Sequence, residues 1–376
     1  MHILFIPSWF ETPSHPTSGR AVKDLIFALA RYGIENKEIN KFHILFQSPE
    51  NLPTVQILDY GIEVWHYQAS IRGKIIPLWN SSLLKANLSV LDQYVLKHGT
   101  PDLVHVHGYA SLALAVYFLN KKNIPFIYTE HSSTVAQDKL SSIEQKLVRR
   151  YAGSAIKIYA VGSYLANKLA LILRRDVMVI PNTIDFNFFT PANRKNPGQW
   201  IMVNLLNKNK QVDLGIKAFD VYAMKNKEAQ LHIIGDGPER RDLEQLIQSL
   251  PSRDRIRIYG ELHPTAWIDI LQSSQGMLFM SKFETFGVVA LESMACEIPI
   301  IAFNNLGIND LTEPGDVILL PPITEFEEIA GAMENIESHA VNRKAVRIRL
   351  SKKYDYAIIA SSYLSAYHEA IKKVRS

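Results

Sequence analysis

The chain has 376 residues, 47% of them hydrophobic and 21% charged. That is too long for one core, and its ordinary composition, with no repeat period, excludes a disordered or repeat-built protein. Lys and Arg number 41 against 37 Asp and Glu, a net charge of +4, and the basic residues are not interleaved with aromatics as in a nucleic-acid module, so no nucleic-acid partner is expected. A single cysteine, Cys296, excludes an internal disulfide framework and any zinc cluster, suits a reducing compartment, and reads as buried packing.

In chain order, MHILFIPSWF is apolar but lacks a charged n-region and is broken by Pro7, so it reads as a first strand rather than a signal. No stretch approaches the ~18 uncharged apolar residues of a membrane span, and a cytoplasmic location is expected. Short β-rich runs then alternate with helical patterns, the rhythm of parallel sheets built from βαβ units. Strands fall near HILFIP, FHILFQ, IEVWHY, DLVHVH, PFIYTE, IKIYAV and VMVIP. The helix AVKDLIFALARYG places Val22, Leu25, Ile26 and Leu29 on one face, with Gly33 as its stop. The segment PNTIDFNFFTPANRKNPGQW is rich in Pro and Asn and reads as a linker. After it the pattern restarts with WIMVNL, QLHIIG, IRIYG, GMLFM, PIIAF and DVILLP.

These runs predict an α/β protein of two Rossmann-like, doubly wound parallel-sheet domains facing a cleft. The expected bounds are 1–182, a linker over 183–198, 199–355, and a C-terminal helix over 356–376 that can pack back on the first domain. Charge is uneven: residues 1–185 carry 19 Lys/Arg against 14 Asp/Glu (+5), leaving 22 against 23 (−1) for the rest. From Lys139 to Arg175 there are eight basic residues and one acid, Glu144. This segment permits peripheral contact with an anionic membrane at its inner face, or with an acidic acceptor; a solvated helix face explains it equally well.

Ligands of doubly wound sheets bind beyond the carboxyl ends of the strands, where helix N-termini offer unpaired N–H groups. After the first strand, Gly19 precedes a helix and would let a phosphate or sugar approach, or would serve as a plain cap. After PFIYTE comes His131, able to hydrogen-bond a sugar hydroxyl or to hold a developing charge, though a lone histidine at a strand end is more often structural. GDGPERRDLE lacks the third glycine of a dinucleotide fingerprint, Arg240 standing there, and Pro238 reads as the first residue of a helix. Lys210, after the first strand of the second half, could neutralise a diphosphate. In SKFETFGVVALESMACEIP, Gly287 starts a helix whose first N–H groups, at Gly287, Val288 and Val289, can hold a phosphate. Glu292 lies more than a turn inside that helix and needs hydroxyl donors, ribose or otherwise, while Glu284 stands at the strand end. On spacing alone Glu284 could equally cap the helix and Glu292 pair with an arginine.

These residues resemble the retaining GT-B glycosyltransferases of family 4. ETFGVVALE followed by SMACEIP is similar to that family's E-x7-E signature, and SWFETPSHPTSGRAVKDLIFALARYG, DLVHVHG, IPFIYTEHSS, VIPNTID, GDGPERRDLE and GELHP occur in family order along nearly the whole chain. The resemblance implies metal-free transfer, with retention, from a nucleoside-diphosphate sugar to a glycan, lipid-linked or glycolipid acceptor in surface polysaccharide biosynthesis. The sugar moved would be a hexosyl or N-acetylhexosaminyl group. By matching positions, Glu284 and His131 would act at the donor sugar, Lys210 and the backbone of Phe286, Gly287 and Val288 at the diphosphate, and Glu292 at the ribose. Gly19 would admit donor phosphate and acceptor. No cofactor is implied beyond a UDP-sugar or GDP-sugar donor. The pattern departs at Asn204 and Leu205, where the family has an arginine before its lysine, with Lys208 the nearby extra cation, and at Gln211, Asn182-Thr183, Cys296-Glu297 and LGIND. The acceptor-loop region from Ile71 to Trp79 is too irregular to interpret. A sugar-nucleotide epimerase of the same architecture and a non-catalytic nucleotide-sugar-binding protein are the alternatives.

Overall fold

The computed structural model describes residues 1–48, 50, 52–53, 55–67, 92–112, 116, 120, 123–192, 196–339 and 341–375; Ile71 to Trp79 and residues 193–195 of the expected linker lie outside them. The chain forms two compact units. Unit 1 is Met1–Thr183 together with Tyr356–Ser376, and unit 2 is Ile184–Asp355.

Unit 1 is built on β1 (His2–Pro7), β2 (Lys41–Gln47), β3 (Val55–Ile57), β4 (Glu63–Tyr67), β5 (Leu103–His107), β6 (Phe126–Glu130), β7 (Lys157–Ala160) and β8 (Met178–Val179). They form one sheet in the order β3-β4-β2-β1-β5-β6-β7-β8. All neighbours are parallel except β3 and β4. Central parallel strands are covered on both faces, which is why β1 reads as an unbroken apolar run and Ile3, Leu4, Phe5 and Ile6 are buried. The Arg20–Glu35 helix buries Val22, Leu25, Ile26 and Leu29 as its periodicity predicts, but it does not stop at Gly33. It runs on to Glu35, and a Cβ at Gly33 would stand 3.1 Å from the Ile39 side chain, a tight contact that favours glycine. The Tyr356–Arg375 helix packs against this first helix, and its Ile359, Ala360, Tyr363, Leu364, Tyr367 and Ala370 join the same core as Ile3, Phe5 and Ile44.

Unit 2 has an all-parallel sheet of β9 (Gln199–Val203), β10 (Gln230–Ile234), β11 (Ile256–Ile258), β12 (Gly276–Phe279), β13 (Ile300–Phe303) and β14 (Ile318–Leu320), ordered β11-β10-β9-β12-β13-β14. Trp200, Met202, Ile216, Phe219, Leu231, Leu278 and Ile301 fill its core, and Cys296 is buried as expected. Strand order reverses between β9 and β12, so the loops after these two strands diverge and leave a crevice at their carboxyl ends. Among the described residues no helix is long and apolar enough to cross a membrane.

Candidate functional site

In unit 2 the loop after β9 and the loop after β12 are laced together at the switch point. Asn209 donates through Nδ2 to Phe283 O (2.8 Å), and its own carbonyl accepts from Lys282 N (2.8 Å). This lacing brings Lys210 Nζ onto Glu284 Oε1, so two residues 74 positions apart form one ion pair. Their side chains are 18% and 13% exposed, enough shielding for the pair to matter and enough opening for a ligand to compete. From β13, Asn305 donates to Ser281 O (3.0 Å), and Gly307 lies so close that a Cβ would fall 2.5 Å from Glu284 Cβ.

Gly287 caps the Val288–Ala295 helix in the left-handed region (φ 92), with no side chain capping the first turn. Glu284 is instead engaged by Lys210, and the N–H groups of the first turn have no partner within the helix. Phe286 is buried against Tyr354 (5.6 Å, edge to face), which fixes the backbone entering the helix. Glu292 is fully buried within it, so a ribose would reach its carboxyl only by displacing the groups that now cover it.

The GDG loop has a different role from a dinucleotide turn. Gly235 and Gly237 let the backbone of Asn204 and Leu206 approach: Cβ atoms would stand 1.7 Å from Asn204 O and 2.5 Å from Leu206 O. The helix expected to begin at Pro238 starts at Arg240, after a turn closed by Arg240 N donating to Gly237 O (3.1 Å); Arg240 also pairs with Asp236 (2.6 Å), which itself accepts from Gly237 N (2.7 Å). Asn204 is buried, and its Nδ2 has no hydrogen-bond partner among the described residues, a polar donor at a strand end that spacing alone did not flag. A cavity of about 370 Å³ opens alongside, walled by Lys208 and Lys282 but also by Asp213, Glu239 and Asp242.

In unit 1 the strand ends carry histidines. His131 follows β6 with its Nε2 3.0 Å from His107 Nδ1, at the end of β5. One of these nitrogens donates and the other accepts, since burial pulls the His131 pKa down to about 4, against a smaller upward push from Asn182, and holds His107 well below its usual range. The histidine is thus neutral, suited to hydrogen bonding rather than to carrying charge. Behind it, His105 is held by Tyr367 Oη (2.7 Å) and Thr129 Oγ1 (2.8 Å), and Thr129 by Tyr363 Oη (3.2 Å). Glu130 is buried, with its pKa raised by that burial; Oε1 accepts from the N–H groups of His131 (2.8 Å) and Ser132 (2.7 Å), and Oε2 from Tyr128. Gly19 caps the first helix at φ 66, but the space a Cβ would take lies 2.3 Å from Trp9 O. The glycine there is required by the chain's own backbone.

Residues 183–353 match the family model described as Glycosyl transferases group 1, and residues 19–188 match Glycosyltransferase Family 4. The chain carries the two domains of a GT-B glycosyltransferase. It is 24% identical to the N-acetyl-alpha-D-glucosaminyl L-malate synthase of Bacillus anthracis over 290 residues, 72% of this chain and 75% of that protein. Sucrose-phosphate synthase from Thermosynechococcus elongatus superposes with a TM-score of 0.76 at 19% identity, covering 99% of this chain and 100% of the other. HepE of Anabaena, solved in complex with UDP and glucose, gives 0.75 at 17% identity over 97% and 99%. At such identities the solved structures speak for the fold: two parallel-sheet α/β domains of GT-B type.

The glycosyltransferase uses half of its basic Lys139–Arg175 segment internally. Arg149 donates to Ile172 O (2.6 Å), Arg175 binds the carbonyls of Gly153 (2.9 Å) and Ala155 (3.1 Å), and Lys157 and Lys168 pair with Glu369 and Asp138. Lys139, Lys146, Arg150 and Arg174 are exposed.

Proposed function

We propose that this glycosyltransferase moves a hexosyl or N-acetylhexosaminyl group, with retention and without a metal, from a UDP- or GDP-sugar to a hydroxyl of a glycan or lipid-linked acceptor. The observation that carries the proposal is the convergence of Lys210, Glu284 and the open N-terminus of the Val288–Ala295 helix at the switch point of unit 2. A diphosphate arriving there takes Lys210 from Glu284, and the N–H groups at Gly287 to Val289 supply the remaining neutralisation. Glu284, released, accepts hydroxyl hydrogens of the donor sugar. The bond from the anomeric carbon to the diphosphate oxygen breaks as the acceptor oxygen bonds to that carbon from the same face, and the acceptor proton passes to the departing phosphate. On unit 1, neutral His131 donates or accepts a single hydrogen bond to sugar, and Glu292 is assigned to the ribose hydroxyls. The four exposed cations, Lys139, Lys146, Arg150 and Arg174, are the groups available to an anionic acceptor or a membrane at the inner face of the cell, and a role in surface polysaccharide synthesis fits such an acceptor. Both domain matches are to transferases, which favours transfer over the epimerase alternative.

The test is a melting-temperature screen with UDP, GDP, ADP and CMP, with and without magnesium. A ligand at a hundredfold its Kd stabilises by about 2.7 kcal/mol. A metal-independent rise with UDP or GDP, lost in Lys210→Ala and Glu292→Ala, is expected. A rise that requires magnesium would overturn the metal-free mechanism, and no rise with any nucleotide would leave a domain whose diphosphate site has been dismantled around Asn204.

A further inference from the structure

At the amino ends of the strands of unit 1, the opposite end from His107 and His131, a second group of titratable side chains converges. His2 opens β1, His43 lies in β2 and Glu63 opens β4, with His43 and Glu63 opposite each other in the parallel register. Tyr94 and His98, one turn apart in the helical stretch 92–98, close over them. The His43 and His98 rings stand 4.3 Å apart, and His98 Nε2 is 3.3 Å from Glu63 Oε2. That nitrogen is buried and makes no hydrogen bond among the described residues. One ligand atom from each of His43, Glu63 and His98 lies within 4.8 Å of the other two.

We propose that His43, His98 and Glu63 bind a transition-metal ion, with zinc the best fit. Bonds of roughly 2.0–2.2 Å in a tetrahedron set neighbouring ligand atoms about 3.3 Å apart, the spacing already present between His98 and Glu63. Two imidazoles and one carboxylate select zinc over calcium or magnesium, and a fourth position stays open. A hydrogen-bonded outer layer is in place: Tyr94 Oη is 2.8 Å from His43 Nδ1 and 2.7 Å from His2 Nε2, and Trp65 Nε1 is 3.3 Å from Glu63 Oε2. Such partners fix the rings that ligate. Lys97 is 3.7 Å from Glu63 but 55% exposed, and an ion would displace it into solvent. The competing account is an edge-to-face aromatic cluster of His2, His43, Trp65, Tyr94 and His98 that packs without any ion. Sequence could not reveal the set, since positions 2, 43, 63 and 98 form no spacing motif; the lone cysteine excludes only thiolate ligation. Bound metal would tie β2, β4 and the 92–98 helix together, and the proposal does not depend on the transfer mechanism.

Chelator-stripped full-length protein is titrated with cobalt(II), then with zinc. The expected result is one cobalt per chain with the intense visible absorption of a four-coordinate site, displaced by one equivalent of zinc, and a zinc-dependent rise in melting temperature. Glu63→Gln and His98→Gln should each weaken cobalt binding at least about tenfold, while His263→Gln, an exposed histidine of unit 2, should not. No stoichiometric binding by the wild type, a weak six-coordinate spectrum, or equal binding by both ligand variants would overturn the site and leave the aromatic cluster. Should a variant fail to fold, the wild-type stoichiometry and spectrum decide by themselves.

Discussion

At the strand ends of unit 2 the candidate chemistry is ionic and within reach of solvent: Lys210 and Glu284 neutralise one another beside open helix N–H groups. At the strand ends of unit 1 it is neutral and largely enclosed: His131 is hydrogen-bonded to His107, and behind them His105 is separately held by Tyr367 and Thr129, with desolvation lowering the pKa of all three rings. The same doubly wound architecture thus builds two different tools. One exchanges an internal partner for a multiply charged ligand. The other presents a ring whose orientation is set by buried hydrogen bonds and whose charge does not respond to neutral pH.

Five experiments can break or sharpen that contrast. The largest effect is expected from Lys210→Ala, which should lower kcat/KM for transfer by about 10²–10³ while the protein stays folded; wild-type rates in this variant would mean that unit 2 holds its ligand by other groups. Next comes acid. Among the described residues unit 1 holds His2, His43, His66, His98, His105, His107 and His131 with lowered pKa values, against His232 alone in unit 2. A buried neutral ring stays unprotonated while its unfolded counterpart gains a proton below 6.5, so stability present above that pH is lost as the pH falls toward about 4. His131 and its hydrogen-bonded partner His107 contribute to this loss in the same direction. Hydrogen exchange at pH 7 and pH 5 should show the unit 1 core losing protection first, and equal loss in both units would remove the distinction. Tyr367→Phe should then cost about 1–3 kcal/mol by stranding His105 Nδ1, read as a lower denaturant midpoint of unit 1 with nucleotide binding unchanged. The smallest is Gly287→Ala. Its nearest obstacle is Leu311 Cδ1 at 3.5 Å, so only the positive φ opposes it and about 1–2 kcal/mol is expected. Gly307→Ala, whose Cβ would meet Glu284, should instead impair transfer beyond its effect on melting temperature.

The legible parts of the molecule were those whose cause is local. HILFIP and PIIAF could be read as strands because burial on both faces demands continuous apolar runs. β3 escaped because Val55–Ile57 is three residues long and mostly exposed, with no burial pattern to detect. Gly33 was misread because its small size answers to Ile39, a tertiary contact, rather than to a helix end. The candidate site followed the same division. Lys210, Glu284, Gly287 and His131 could be placed from their position after strands, yet the Lys210–Glu284 pair depends on two loops meeting across the switch point through Asn209, which no spacing encodes. Gly19 likewise fits a ligand-approach pattern in sequence while Trp9 occupies the space in the fold.

The return of the Tyr356–Arg375 helix to unit 1 also constrains biosynthesis. On the ribosome, β1 to β8 emerge long before Ile359, Tyr363 and Tyr367, and all of Ile184–Asp355 must be made in between. During that interval the nascent unit has an exposed apolar face along its first helix and an unsatisfied His105, a state that chaperones would recognise and that a premature stop codon would make permanent.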